Sequence, residues 1–290
     1  MTFAVYLPAL LSVLLVAVSK AAARHTSPAA VTRGLTLAAV GAATAYAACL
    51  SFLALTLLDD LPPLAAFDHL PGLPKPVPGP VALVAAALLG WGAWRLFRDV
   101  RTRRDTHREL RSAGSPGAAG LVVADWEAPH AVAVPGNPGH ILITTGLLRT
   151  LDGRERQVVL AHEHAHLRHR HHRLTALAAA AAAVNPLLVP LRDAVAHHAE
   201  RWADEEAARQ VGDRGLVARC VAKAALATRP QLALGGASVI GRVSALRRPA
   251  PHGRWTRLAG PAAIVVAIAA VTATAAFEFV AVATAWLHLA

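Results

Sequence analysis

Apolar positions fall along this chain on two length scales. Long apolar runs cover Phe3 to Ser19, Leu35 to Leu58, Pro80 to Phe97 and Leu258 to Ala290. A bilayer span takes about 20 apolar residues, so these runs predict four transmembrane helices, the first at the minimum length. Shorter β-like runs, His130 to Val134 and His140 to Thr145, are joined by Pro135-Gly136-Asn137-Pro138-Gly139, a strong turn signal that predicts a hairpin. Ser112 to Gly120 reads as a linker. A helical stretch is expected from Val158 through His172, and Asp152 with Glu155 three residues on predicts the capping box that starts this helix.

The helix from Val158 carries the chemistry. His162, Glu163 and His166 form H-E-x-x-H. Residues four apart share a helical face, so the two imidazoles can aim at one ion, with Glu163 placed to take a proton from water. Six of the fifteen histidines fall between His162 and His172, and a plain metal-buffering tract is the competing reading. Glu200 and Asp204 decide between them. They are again four apart on a predicted helix, which suits a third metal ligand and a carboxylate that orients a ligand histidine.

His172 stands where a metzincin would place its third ligand. His169 occupies the glycine position of that motif, so nothing is expected to end the helix there, and Met1 is the only methionine. Glu200 is therefore the better third ligand. That choice constrains a fifth apolar run, Leu174 to Leu191. A single crossing would put Glu200 and His162 on opposite sides of the membrane. A double crossing needs about 40 residues, and only 34 positions separate His166 from Glu200. The run is expected to fold as a helix and a turn at Asn185-Pro186, packed within the protein or dipping shallowly into the inner leaflet.

From Val122 to Ala208 the sequence resembles integral-membrane zinc metallopeptidases of the HtpX and CAAX-prenyl-protease type, and the related BlaR/MecR-type peptidases. The carrying segments are HILITTGLLRTLDGRERQVVLAHEHAHLRHRH and ERWADEEAA. The resemblance implies one Zn²⁺ per chain on His162, His166 and Glu200, with Glu163 as catalytic base and Asp204 as outer support. It also implies that the edge strand runs along the metal cleft. Arg242-Val243 with Leu246 resembles an Arg-hydrophobe-x-x-Leu segment of related membrane peptidases, making Arg242 the candidate oxyanion donor, with His197 and His198 as alternatives. At the place where the BlaR/MecR branch has an aspartate the chain has Arg170-His171. The other histidines of the tract, His164, His169, His171 and His172, lie off the shared face and are expected mostly at solvent or lipid headgroups.

Composition and charge then fix the setting. The chain of 290 residues is 55% hydrophobic, with a mean hydropathy of +0.42, too apolar for one ordinary soluble domain. The formal charge of +11 sits beside apolar runs without a nucleic-acid motif, so anionic lipid rather than nucleic acid is the expected counter-charge. Cys49 and Cys220 have no metal spacing and are expected to stay thiols. Lys20, Arg24 and Arg33 make the first loop basic, whereas Asp59, Asp60 and Asp68 against Lys75 make the second acidic. The positive-inside rule then puts the catalytic part in the cytoplasm and both termini outside.

The expected architecture is mainly α. Three spans occupy residues 1–98, a basic juxtamembrane linker 99–120, a gluzincin-like α+β zinc peptidase domain 121–257, and a last span 258–290. Glu278, inside that last run, is an intramembrane carboxylate and so a functional candidate. The expected activity is endopeptidase cleavage of protein or peptide substrates at the cytoplasmic membrane face. A histidine-rich metal-binding or metal-transport protein, or an inactive peptidase scaffold, are the alternatives.

Overall fold

The computed structural model describes residues 7–22, 26–55, 57, 78–114, 116–117, 120–227 and 235–248. Three helices come first: α1 (Leu7–Ala22), α2 (Pro28–Leu55) and α3 (Gly79–Ser112). A small sheet follows, built from β1 (Leu121–Ala124), β2 (Ala131–Val134) and β3 (His140–Thr144). The chain continues as α4 (Thr145–Thr150), α5 (Gly153–Arg168), α6 (His171–Val184), a 3₁₀ turn at Pro186–Leu188, α7 (Val189–Val211), α8 (Arg214–Ala227) and α9 (Gly235–Leu246).

Among the described residues, α2 and α3 are long and apolar enough to cross a membrane, and the apolar part of α1, Pro8–Ala17, is shorter. The fourth expected span, Leu258 to Ala290 with Glu278, lies outside the described residues. The boundary expected at residue 98 is not a break, because α3 runs on through the basic segment to Ser112. The reason is local. Asp99 and Asp105 interleave the arginines and pair with Arg103 at 2.8 Å, Arg101 at 3.8 Å and Arg108 at 3.4 Å, all at i,i+3 or i,i+4 spacing. Those pairs offset the repulsion expected of a bare arginine run.

The expected hairpin is present, with β2 antiparallel to β3. Sequence patterning missed β1, which pairs parallel with β3 and makes the sheet order β1-β3-β2. All five residues of the central strand β3 are buried, and among the described residues β2 is an edge strand. Asp152 caps α5 as expected: its side chain accepts from the Glu155 N–H at 2.8 Å, while Glu155 accepts from the Asp152 N–H at 3.0 Å.

The run Leu174 to Leu191 forms α6, the turn and the start of α7. Asn185 ends α6, accepts from the Leu187 N–H at 3.1 Å and donates to Ser12 Oγ of α1 at 2.9 Å. The resulting helical hairpin packs on α2. Ala178, Ala181, Ala182, Leu188, Leu191 and Val195 share a buried core with Val31, Leu35, Ala38, Ala39 and Ala43. The six consecutive alanines Ala178 to Ala183 let α6 lie close to α2, and the hairpin brings α7 back beside α5.

Candidate active site

Two helices supply the site, and their sequences explain why they can meet. Four of the candidate site residues follow an alanine: Ala161 before His162, Ala165 before His166, Ala199 before Glu200 and Ala203 before Asp204. All four alanines are buried, at 4%, 1%, 1% and 0% exposure. Methyl-sized side chains let α5 and α7 pack closely, so short polar groups on both helices reach a common point. Below them Val158, Ala207, Leu216, Val217 and Leu246 form the core that holds α5, α7, α8 and α9 together.

His162, His166 and Glu200 converge, with one donor atom from each lying within 4.8 Å of the others. The two Nε2 atoms are 3.1 Å apart, and Glu200 places Oε2 at 3.4 Å from His162 Nε2 and Oε1 at 3.4 Å from His166 Nε2. Donors about 2.0–2.2 Å from a tetrahedral ion lie about 3.3 Å from one another, close to the separation of the two Nε2 atoms and of each Nε2 from its nearer Glu200 oxygen. Charge agrees with spacing. Glu200 and Asp204 share one guanidinium, that of Arg242, so their two negative charges exceed its single positive charge and suit a cation at the cluster.

Each histidine is oriented from behind. Asp204 Oδ1 lies 3.1 Å from His162 Nδ1, so His162 donates there and turns Nε2 to the cluster. The corresponding partner of His166 was missed by sequence reasoning. The chain does not continue helical to His172: α5 ends at Arg168, and Arg170 takes the left-handed conformation at φ 53°. This break, without glycine or proline, folds His171 back so that its Nδ1 is 3.0 Å from His166 Nδ1. His171 is 1% exposed, not at the surface as expected, whereas His164 and His172 are exposed. Trp202 of α7 stacks on His169 at 4.5 Å and lies 4.7 Å from His171, and Arg33 of α2 sits 4.8 Å over the same indole. The only sequence signal for His171 was its place in a histidine tract whose helical register pointed it elsewhere.

Burial lowers the His171 pKa to about 3 and that of His166 to about 4, so both rings are neutral at pH 7. A neutral His166 that presents its Nε2 lone pair to an ion carries its proton on Nδ1 and donates to His171. His171→Phe keeps the packing on Trp202 but removes this acceptor. It is expected to weaken zinc binding by about 10–100-fold, as measured by competition with a calibrated chelator, with the helical content unchanged.

Burial also opposes protonation of His162, but its contacts with Asp204 and Glu200 outweigh that and raise its pKa to about 10 in the metal-free cluster. Burial disfavours charge on Glu200 and Asp204 as well. His162 holds Glu200 below the usual carboxylate range, and hydrogen bonds from Arg242 and His162 do the same for Asp204. Proton and metal therefore compete for His162 Nε2. Glu163 differs: burial pushes its carboxyl up to about 7. Its Oε2 accepts the Ala133 N–H of β2 at 2.8 Å.

Arg242 reaches the site from α9. Its Nε and Nη2 each lie 2.7 Å from an Asp204 carboxylate oxygen, and Nη1 is 3.2 Å from Glu200 Oε2. All three guanidinium nitrogens face carboxylates, an arrangement that holds the ligand carboxylate and its neighbour. Of the two alternatives to it, His197 lines the cleft and His198 is buried with Nδ1 unpartnered.

The cleft encloses about 650 Å³ and is walled by Ala131, Val132 and Ala133 of β2 on one side and by His171, Thr175, Asp193 and His197 on the other. Residues 98–227 match the model of peptidase family M48. Over this segment the chain is similar to the M48 metallopeptidases. The M48 match spans the arginine-bearing half of α3, the sheet and helices α4 to α8, and so contains His162, Glu163, His166, Glu200 and Asp204 but not Arg242. It supports the HtpX/CAAX-protease side of the resemblance. No solved structure matches the chain. The M48 family together with the two apolar helices α2 and α3 points to membrane association.

Proposed function

We propose that this chain is a membrane-bound, zinc-dependent endopeptidase that cleaves protein or peptide substrates beside the cytoplasmic membrane face. The convergence of His162, His166 and Glu200 at zinc-like spacing, with Glu163 in the same cleft, carries the reading. Zinc held there would supply Lewis acidity, lowering the pKa of water and polarising the scissile carbonyl.

The protein's own residues do the rest. The edge of β2, which no further strand covers among the described residues, offers its remaining main-chain groups to an extended substrate, which lies alongside as a further strand. Glu163 takes the proton from the attacking water and returns it to the leaving amine. Its anchorage on the Ala133 N–H fixes the carboxylate relative to the strand that holds the substrate. Asp204 and His171 keep the two imidazoles aimed, and Arg242 holds Asp204 and Glu200. The oxyanion donor role expected of Arg242 passes more naturally to His197, whose ring lines the cleft. The metal-transport reading is not carried forward, because the ligand candidates sit on α5 and α7, outside the two span-like helices.

A chelator such as 1,10-phenanthroline is expected to abolish cleavage of an unfolded protein by the purified full chain, and Zn²⁺ to restore it. His166→Ala is expected to reduce bound zinc from one ion per chain to none by atomic emission. Cleavage that survives both treatments would sink the assignment.

A further inference from the structure

A second cleft lies away from the active site, between α3, α6 and the first turn of α7. It encloses about 300 Å³ and is lined by Trp94, Arg95, Arg98, Asp99, Ala183 and Arg192 among others. Its existence follows from the alanine run. Gly92 of α3 approaches α6 so closely that a Cβ there would lie 3.1 Å from the Val184 carbonyl. On the active-site side of this crossing α6 offers only Ala179 and Ala183 to the cleft, and short side chains leave the space open.

The walls are cationic. Arg95, Arg98 and Arg192 face a single lining carboxylate, Asp99, which is already bound by Arg103 at 2.8 Å. Arg192 is held by Asp193 through Nε and Nη2. Arg95 and Arg98 stack on aromatic rings one turn back, Arg95 at 4.9 Å from Trp91 and Arg98 at 4.7 Å from Trp94. Arg95 Nη1 is shut off from solvent and has no hydrogen-bond partner among the described residues. A buried guanidinium N–H without an acceptor is costly, and an oxyanion is the group that satisfies it.

The position on α3 identifies the carrier of that oxyanion. From Gly79 to Trp94 the helix has no charged residue, and it exposes Leu83 at 61% and Val84 at 58%. Trp91 and Trp94, about half exposed, mark the change to the arginine-bearing half. An aromatic pair between an apolar and a basic helical segment is the signature of the bilayer interface, the level at which lipid phosphates sit. We propose that this cleft binds the phosphate of an anionic glycerophospholipid, whose acyl chains lie along the exposed apolar face of α3. The site rests on the membrane placement proposed above but not on peptidase activity.

The test uses the full chain purified in detergent. Native mass spectrometry with phosphatidylglycerol and phosphatidylcholine is expected to show one phosphatidylglycerol retained in preference to phosphatidylcholine. In Arg95→Gln/Arg98→Gln that retention falls at least about tenfold, since each interfacial arginine contributes roughly a fivefold effect. Arg101→Gln/Arg104→Gln removes the same charge from the same helix outside the cleft and is expected to keep the lipid. Millimolar glycerol 1-phosphate is expected not to displace it. Equal loss in both double variants would reduce the effect to diffuse attraction and overturn the site, as would displacement by the soluble phosphate, which would identify a free-phosphate site. Sedimentation with vesicles of phosphatidylcholine, alone or with one-fifth phosphatidylglycerol, separates the two levels. Failure to sediment with either removes the membrane placement and the lipid site together, whereas sedimentation without preference for phosphatidylglycerol removes the lipid site alone.

Discussion

Glu163→Gln is expected to slow peptide cleavage by at least about 10²–10⁴-fold while leaving one zinc per chain in place. The carboxylate is not among the three converging ligand groups, and glutamine has nearly its shape, so the amide oxygen can still accept the Ala133 N–H. What the substitution removes is the capacity to take a proton. Single-turnover cleavage of a fluorogenic peptide, read beside the zinc content, checks both halves of the statement. The pH profile carries a second signature. Burial pushes the Glu163 carboxyl up to about 7 without a metal, and a cation bound nearby draws it down. The wild-type kcat/KM should therefore climb with pH along an acid limb centred below about 7, as the base loses its proton, and that limb should vanish in Glu163→Gln. Wild-type turnover in this variant would end the base assignment.

Arg242→Met is expected to cost about 3–5 kcal/mol of stability. Asp204 is 2% exposed in its side chain and Arg242 17%, so solvent does little to screen the pair. Removing the guanidinium takes two hydrogen bonds from a buried carboxylate and leaves it only the one from His162. For a domain of this size the loss corresponds to roughly 10 °C in the thermal midpoint, measurable by tryptophan fluorescence in detergent. The double variant Arg242→Met/Asp204→Leu removes both charges and is expected to regain most of the midpoint, yet bind zinc more weakly because His162 has lost its acceptor. A double variant as unstable as the single one would show that the pair holds α9 to α7 by packing alone.

The sequence carried the active centre further than it carried the fold around it. His162, Glu163 and His166 were legible because helical spacing alone puts them together, and Glu200 with Asp204 because the same spacing recurs on another helix. The start of α5 was legible in Asp152 and Glu155. The extent of α3 was harder to read: arginine density suggested a linker, whereas Asp99 and Asp105 at helical intervals kept the helix intact. Strand β1 was invisible because four apolar residues show no period until a partner strand exists. His171 was misplaced for a comparable reason. Its position depends on a left-handed residue at Arg170, a conformation that arginine adopts only when the surrounding packing compensates for it.

By itself, then, the sequence determined the types of group present and their angular placement on individual helices, since a 3.6-residue period is a local property of the backbone. Tertiary structure alone decided which faces met. Buried alanines set the approach of α5 to α7, the break after Arg168 supplied the partner of His166, and packing of α9 brought Arg242 to Asp204. Those outcomes depend on van der Waals fit and buried charge between segments far apart in the chain, and no local pattern encodes a distance between two helices.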